Sequence, residues 1–267
     1  MKKLYILGTG AATVSKYINT ACVFEDADEL FLVDGTGGND IIRCFDSLQL
    51  SFNKLHHAFL SHEHTDHLLG MIWAIRMVTE YMDLGTYKGV FYLYGHKEVL
   101  DKVNTICHML LKKKSIKLLN ERIVFKPVSN NEECEILKHK FVFFDIGSTK
   151  AKQYGFVMWN GDKKIVFAGD EPLNEQGKYY GQEADLLLSE AFCLESDEVR
   201  MHAHEYSHQT VKECAEIAQA LQVKKLLIWH TEDETYGKRR ELYRKEAAAY
   251  YKGEIIVPED GEILMLA

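Results

Sequence analysis

The sequence lacks paired cysteines, long apolar runs and an excess of positive charge. Its six cysteines are scattered and form no C-x-x-C pair, which argues against a disulfide framework and for reduced, mostly buried thiols. No apolar run approaches the roughly 20 residues that span a membrane. The formal net charge is −8, whereas proteins that bind nucleic acid normally carry a basic stripe. These absences predict a cytoplasmic protein with no membrane association, and they disfavour RNA as a partner without excluding it.

Two short features imitate signals that the rest of the sequence does not support. Residues 1–7 begin like a signal peptide, but the apolar run stops at Gly8 and no cleavage site follows. Lysines 112–114 form a local basic patch, which we interpret as a solvated helix end. With 46% hydrophobic residues, the 267-residue chain can bury a sizeable core, and we predict a single α/β domain over residues 1–267.

The ligand-type side chains are concentrated in one loop, residues 61–67, which we call the histidine loop. His62, His64, Asp66 and His67 stand there at the spacing H-x-H-x-D-H. The apolar residues before the loop predict a buried strand, and those after it predict a helix. Because residues two apart in an extended segment point the same way, His62 and His64 can share one ion. Asp66 and His67 follow after the chain has turned, so a pair of metals fits the pattern better than one.

The nature of these ligands favours particular ions. Imidazole and carboxylate suit zinc first, with manganese or iron as alternatives. The competing interpretation is that the histidines are only capping or solvated residues, as at His56 and His57, which adjoin without obvious chemistry. Four ligand types at this spacing on a strand-to-helix loop favour metal binding.

Other polar residues follow predicted strands. A hairpin over residues 155–168, with Asn-Gly at its turn, ends just before Asp170. One apolar strand leads to Glu190, and another delivers His230 at its end. Such strand ends are where the ligands of α/β sheets collect.

Two further segments bear on this site. Asp34 ends the predicted strand 30–33, and we expect it to brace the histidine loop. Apolar spacing predicts a helix that begins at Ser207 or His208 and ends at Leu221, which would also allow His208 to be only a cap. Strands and helices in both halves predict an α/β protein, and periodicity alone says no more.

The histidine loop resembles the signature of the metallo-β-lactamase superfamily, and other segments resemble its ribonuclease Z-like branch. The resembling segments run in the same order as in that branch: 7–12 (LGTGAA), 31–35 (FLVDG), 167–170 (FAGD), 187–192 (LLSEAF), 207–210 (SHQT), 226–230 (LLIWH) and 258–261 (PEDG). The resemblance implies the four-layer αββα sandwich of that superfamily.

The resemblance also implies a ligand set for two divalent ions. The first would take His62, His64 and Asp170, and the second would take Asp66, His67, Asp170 and His230. Asp170 would bridge, because two cations need a shared anionic ligand to offset their repulsion. Such coordination lowers the pKa of water to about 7, which supplies a hydroxide nucleophile at neutral pH.

Three residues receive catalytic roles from the same resemblance. Asp66 would orient the attacking hydroxide as well as bind metal. His208 would protonate the leaving oxygen, and Glu190 would hold His208 in the right tautomer.

One departure from the family concerns the first metal. The family usually supplies a third histidine on the strand before the bridging aspartate, and residues 144–156 contain none. Asp145, at the exit of the preceding strand, is our candidate replacement. Ser189 is a milder departure, since ribonuclease Z has histidine there.

A further departure concerns the substrate. Ribonuclease Z carries a basic, Gly/Pro-rich arm that grips tRNA, inserted in many bacterial members before the bridging aspartate. Here only a tight hairpin separates Gly155 from Asp170. We therefore expect a dinuclear metal-dependent hydrolase, a phosphodiesterase for a small or nucleotide-like substrate.

Two alternatives stay open. The first is a tRNA 3′-processing endoribonuclease. The second is a metal-poor, non-catalytic binding module, which the absent third histidine favours. A homodimer is also open, because nothing in the sequence fixes the oligomeric state.

Overall fold

Short apolar runs separated by polar turns fold into strands, and longer runs with apolar residues three and four apart fold into helices. The computed structural model describes residues 1–266. Up to residue 129 the elements are β1 (Lys3–Gly8), β2 (Ala21–Asp26), β3 (Glu29–Val33), α1 (Asp40–Ser47), β4 (Leu55–Phe59), α2 (Thr65–Asp83), β5 (Phe91–Gly95), α3 (Lys97–Leu110), α4 (Lys113–Ile116) and β6 (Ile123–Pro127).

The remaining elements complete the chain. They are β7 (Glu133–Ile136), β8 (His139–Asp145), β9 (Tyr154–Asn160), β10 (Lys163–Phe167), α5 (Glu175–Gly181), β11 (Leu186–Glu190), α6 (Glu198–Met201), α7 (Val211–Ala220), β12 (Lys225–Trp229), α8 (Arg239–Tyr250), β13 (Glu254–Ile256) and β14 (Ile263–Met265). No helix within residues 1–266 is both long enough and apolar enough to cross a bilayer.

The first of two units comprises Met1–Gly8, Ile18–Ser129 and the chain from Asp260. Its sheet has the order β14-β1-β2-β3-β4-β5-β6, and β3 to β6 are parallel. Parallel strands end at the same edge of a sheet, so the segments after β3 and β4 start side by side. The Asp34 amide indeed donates to the Phe59 carbonyl at 2.9 Å.

Helix α2 shows how the first unit fixes its histidine loop. Its buried residues Met71, Ala74, Ile75 and Val78 are three and four apart and join the core with residues of β3, β4 and β5. This apolar stripe holds the helix against the sheet. The first turn of α2, which carries Asp66, is therefore held at the edge where β4 ends.

The second unit comprises Thr9–Tyr17 and Asn130–Glu259. Its sheet has the order β13-β12-β11-β10-β9-β8-β7, and β10 to β13 are parallel. Asp170, Glu190 and His230 lie at the carboxyl ends of β10, β11 and β12, which share one edge. The prediction of one domain over residues 1–267 stays a prediction.

The predicted helix start at Ser207 or His208 is wrong. Helix α7 begins at Val211, where Thr210 caps it and forms a capping box with Glu213. Ser207 has a left-handed backbone (φ 55°), which a helix cannot continue through. His208 thus lies before the helix, and the interpretation of His208 as a helix cap falls with it.

Candidate functional site

In the first unit, the histidine loop is tied to the end of β3 by Asp34. This carboxylate is 1% exposed and accepts from the Ser61 amide at 2.8 Å and from the Ser61 hydroxyl at 2.8 Å. It also lies 2.8 Å from His67 Nδ1. A carboxylate that accepts from an imidazole N–H fixes the ring and strengthens its other nitrogen as a metal ligand. The predicted bracing role of Asp34 is confirmed.

The same contacts set the tautomers of two histidines. His67 Nδ1 must carry its proton to donate to Asp34, which leaves the lone pair on Nε2. His62 Nδ1 lies 2.9 Å from the Ser61 hydroxyl, and that hydroxyl donates to Asp34. His62 Nδ1 is therefore the donor in its pair, and its Nε2 also presents a lone pair.

These lone pairs meet other ligand atoms at separations that suit a metal. His67 Nε2 lies 3.1 Å from Asp66 Oδ2, and His62 Nε2 lies 2.9 Å from His64 Nδ1. Donors on one ion with bonds of about 2.0–2.1 Å stand roughly 3 Å apart. Two lone pairs that face each other need a cation or a proton between them. The donor set therefore fits divalent metal ions.

Two glycines let α2 approach this loop. The Gly35 amide donates to the His67 carbonyl at 2.8 Å, and the Gly70 amide donates to the Thr36 carbonyl at 3.0 Å. A Cβ on Gly70 would lie 1.4 Å from the Gly35 carbonyl oxygen, so no side chain fits there. Sequence reasoning missed this pair, although a glycine inside a helical pattern often marks close backbone approach.

In the second unit, three predicted residues meet at the strand edge. His230 Nε2 lies 3.7 Å from Asp170 Oδ2, and the His208 and His230 rings are 5.5 Å apart. His230 has a left-handed backbone (φ 55°), which for a residue other than glycine costs about 1–2 kcal/mol. Such strain concentrates at functional sites.

Glu190 and His208 form a buried acid–base pair. Glu190 is 0% exposed, and burial raises the pKa of its carboxyl to about 7. Glu190 Oε2 lies 3.6 Å from His208 Nδ1, an ion-pair distance, and Oε1 accepts from the Gln209 amide at 2.8 Å. Burial is the largest single influence on the pKa of His208 and lowers it, but the carboxylates of Glu190 and Asp170 together raise it, and the net shift is upward. The His208 ring also stacks on Phe192 at 5.2 Å.

Asp145 and Ser189 take other partners in this structure. Asp145 Oδ1 accepts from the Gly147 amide at 2.8 Å, within its own turn. Ser189 Oγ accepts from the Gln209 side chain at 3.1 Å. The Asp170 carboxylate instead meets Gln153, whose Nε2 donates to Asp170 Oδ1. Sequence reasoning missed Gln153, since glutamine is not among the common ligand types.

An open cleft of about 520 Å³ lies in the first unit and includes two residues of the histidine loop. Its walls combine apolar side chains with three carboxylates and one lysine: Glu63, Thr65, Leu68, Leu69, Glu98, Asp101, Lys102, Thr105 and Ile106. The lysine, Lys102, forms an ion pair with Glu63. The size is in the range of small-molecule sites.

Known proteins share this architecture over nearly the whole chain. A ribonuclease Z from Thermococcus sibiricus is 24% identical, with 100% of this chain and 97% of that protein aligned. The metallo-β-lactamase-fold protein YhfI from Bacillus subtilis superposes with a TM-score of 0.80 at 19% identity, covering 99% of both chains. A diphosphatase of the PhnP family gives 0.74 at 15% identity, covering 99% and 97%.

These likenesses confirm the predicted α/β metallo-β-lactamase fold and the resemblance to ribonuclease Z. A family model described as "Anti-Pycsar protein Apyc1" matches residues 2–247.

Proposed function

The chain belongs to the Anti-Pycsar protein Apyc1 family and is a metallo-β-lactamase-fold hydrolase, and on this premise we propose that it cleaves a phosphodiester bond in a small, nucleotide-like substrate. The observation that carries the proposal is the preset donor pair of His67 and Asp66. Asp34 fixes the His67 tautomer so that Nε2 faces the Asp66 carboxylate at 3.1 Å. A site organised before metal binding is typical of catalytic centres.

The proposed ligands are those that the family resemblance assigns. They would hold one ion with His62, His64 and Asp170, and another with Asp66, His67, Asp170 and His230. Zinc suits imidazole and carboxylate ligands best, with manganese or iron as alternatives. Bound divalent ions would lower the pKa of water to about 7 and so supply a nucleophile.

The side chains around this centre have separate proposed tasks. Asp66 orients the attacking water through its carboxylate. His208 in its protonated form donates to the leaving oxygen, and Glu190 keeps that ring charged and oriented. Support comes from the upward pKa shift of His208, whose largest upward contribution is from Glu190.

A small substrate fits the charges better than RNA does. The cleft beside the histidine loop carries Glu63, Glu98 and Asp101 against the single Lys102, which is already paired. A carboxylate-rich wall repels a long polyanion, whereas a compact substrate meets few of these charges. The same fold also occurs in a protein described as a diphosphatase of the PhnP family.

A second candidate is tRNA 3′ processing. It is favoured by the full-length match to proteins named ribonuclease Z, such as that of Methanocaldococcus jannaschii, at 26% identity over 97% of this chain. The tight turn between β9 and β10 argues against it, because the paired strands leave no room there for an arm.

The test compares hydrolysis of bis(p-nitrophenyl) phosphate, cyclic mononucleotides and a precursor tRNA by the zinc- or manganese-loaded protein. His67→Ala should abolish turnover of the small esters, and His108→Ala should not, because His108 is exposed on α3. Faster cleavage of the precursor tRNA would favour the second candidate. Metal binding without turnover of any ester would favour a non-catalytic module.

A further inference from the structure

The segment that joins β8 to β9 carries a buried amide beside the predicted bridging aspartate. Gln153 is 1% exposed and directly precedes β9. Its carbonyl accepts from the Ile146 amide at 3.1 Å, which fixes the backbone, and its side-chain Nε2 donates to Asp170 Oδ1. If that partner were removed, the buried amide would be left without a hydrogen bond, and the folded state would be destabilised.

The packing around Gln153 restricts the amide to this place. Gly169 has φ +83°, and a Cβ at that position would lie 2.9 Å from Gln153 Oε1. The end of the glutamine side chain thus lies against Gly169, the residue before Asp170. Its orientation is set by contact as well as by the hydrogen bond.

Asp145, the other candidate in this segment, is held elsewhere. Its Oδ1 accepts from the Gly147 amide at 2.8 Å, and its own amide donates to Asn130 at 2.9 Å. Its carbonyl accepts from the Asn174 side chain at 3.1 Å. Through these contacts Asp145 stabilises the turn after β8.

We propose that Gln153, and not Asp145, is the residue that replaces the absent third histidine, and that it acts by positioning Asp170 instead of by adding an imidazole. This inference rests on the proposed metal centre. The N–H of Gln153 is hydrogen-bonded to Asp170 Oδ1 and so fixes the orientation of the carboxylate. The other oxygen, Oδ2, lies 3.7 Å from His230 Nε2.

The consequence is a pair of unequal metal sites. The ion assigned to His67 and His230 would have Asp66 and Asp170 as further ligands, whereas the ion assigned to His62 and His64 would have Asp170 and no third imidazole. The protein should therefore bind its first equivalent of metal more tightly than its second.

The experiment titrates metal-free protein with zinc and with manganese, against a competing chelator, and counts bound ions by elemental analysis. Gln153→Met keeps the volume but removes the donor, and it should weaken both sites about tenfold, because both use Asp170 and loss of a residue that orients a ligand has an effect of that size. Asp145→Asn keeps an acceptor for Gly147 and should leave both affinities at wild-type values. Gln153→His should tighten the weaker site, because it restores an imidazole.

Each result decides the question. Wild-type affinities in Gln153→Met, or an equal loss in Asp145→Asn, overturn the assignment. If Gln153→Met does not fold, Gln153→His still decides, since an unchanged gap between the two sites contradicts the inference. Turnover is scored apart: the expected affinities without hydrolysis refute the proposed activity and leave the role of Gln153 standing.

Discussion

Replacing Asp34 by asparagine is the sharpest test of how the first unit prepares its ligands. The change keeps the shape of the side chain and removes its charge. In the native protein Asp34 Oδ1 accepts from the Ser61 amide, and Oδ2 accepts from His67 Nδ1, both at 2.8 Å. The Ser61 hydroxyl lies within hydrogen-bond distance of both oxygens and can donate to either. Asparagine has only one oxygen to offer, so either the Ser61 amide or His67 must lose its acceptor.

The two orientations of the amide have different consequences. If the asparagine oxygen faces His67, the asparagine NH₂ faces the Ser61 backbone N–H. Both groups are then donors, and the backbone N–H cannot become an acceptor. With its oxygen toward Ser61, the NH₂ faces His67 Nδ1, and the imidazole can respond by moving its proton to Nε2. We expect the second orientation, because only the histidine can change.

The cost then falls on metal binding more than on folding. A proton on His67 Nε2 occupies the lone pair that faces Asp66 Oδ2, and metal must displace it. Loss of such a carboxylate partner typically weakens metal affinity by about 10–100-fold, or roughly 1.4–2.7 kcal/mol. Asp34→Ala leaves both Ser61 donors and His67 without an acceptor and should also destabilise the metal-free fold by about 3–5 kcal/mol.

Metal affinity and unfolding by urea separate these effects. Asp34→Asn should bind zinc about 10–100-fold more weakly than wild type. Its metal-free protein should unfold close to the wild-type midpoint and well above that of Asp34→Ala. Wild-type zinc affinity in Asp34→Asn would refute the tautomer argument. A metal-free Asp34→Asn as unstable as Asp34→Ala would show that the charge stabilises the fold itself.

Three further predictions concern packing and protonation. Gly70→Ala should lower the free energy of unfolding by about 1–3 kcal/mol, because its Cβ would lie 1.4 Å from the Gly35 carbonyl oxygen. Gly38→Ala is the control in urea melts, since a Cβ there meets nothing within 4 Å. Glu190→Gln removes the largest contribution that raises the pKa of His208, so the alkaline limb of kcat against pH should move to lower pH. An unmoved limb would exclude His208 as the acid. The contribution of Glu190 to stability should fall as pH rises from 4.5 to about 7, where folded Glu190 holds a proton that the unfolded chain has lost, so the stability of wild type relative to the variant should fall over that range.

The sequence was sufficient to predict features that depend on local pattern. Apolar runs predicted β4 and α2 on either side of the histidine loop, and the Asn-Gly signal predicted the hairpin that ends before Asp170. Asp34 was predicted to brace the loop because it ends a strand, and its contact with His67 bears this out. Each of these inferences needs only a few neighbouring residues.

Features that depend on contacts distant in sequence could not be predicted in the same way. The start of α7 was misplaced because Ser207 and Thr210 are both residue types that cap helices, and only the left-handed backbone of Ser207 and the capping contacts of Thr210 decide where the helix begins. The contact of Gln153 with Asp170 was overlooked because the two residues are seventeen apart in sequence. Charge and ligand type pointed to Asp145, whose carboxylate accepts from Gly147 within a turn, and its role as a metal ligand stays a prediction.

Asp34 and Gln153 differ in a way that predicts the order in which the two proposed metal sites bind their ions. Asp34 gives His67 a full negative charge behind its ring, which strengthens Nε2 as a ligand. Gln153 is proposed to orient Asp170 through a neutral N–H, and it adds no imidazole to the ion assigned to His62 and His64. Both features favour the ion assigned to His67 over the ion assigned to His62 and His64. A protein that is half loaded at limiting metal should therefore carry its ion with His67, so His67→Ala should abolish the tight binding event while His64→Ala should leave it in place.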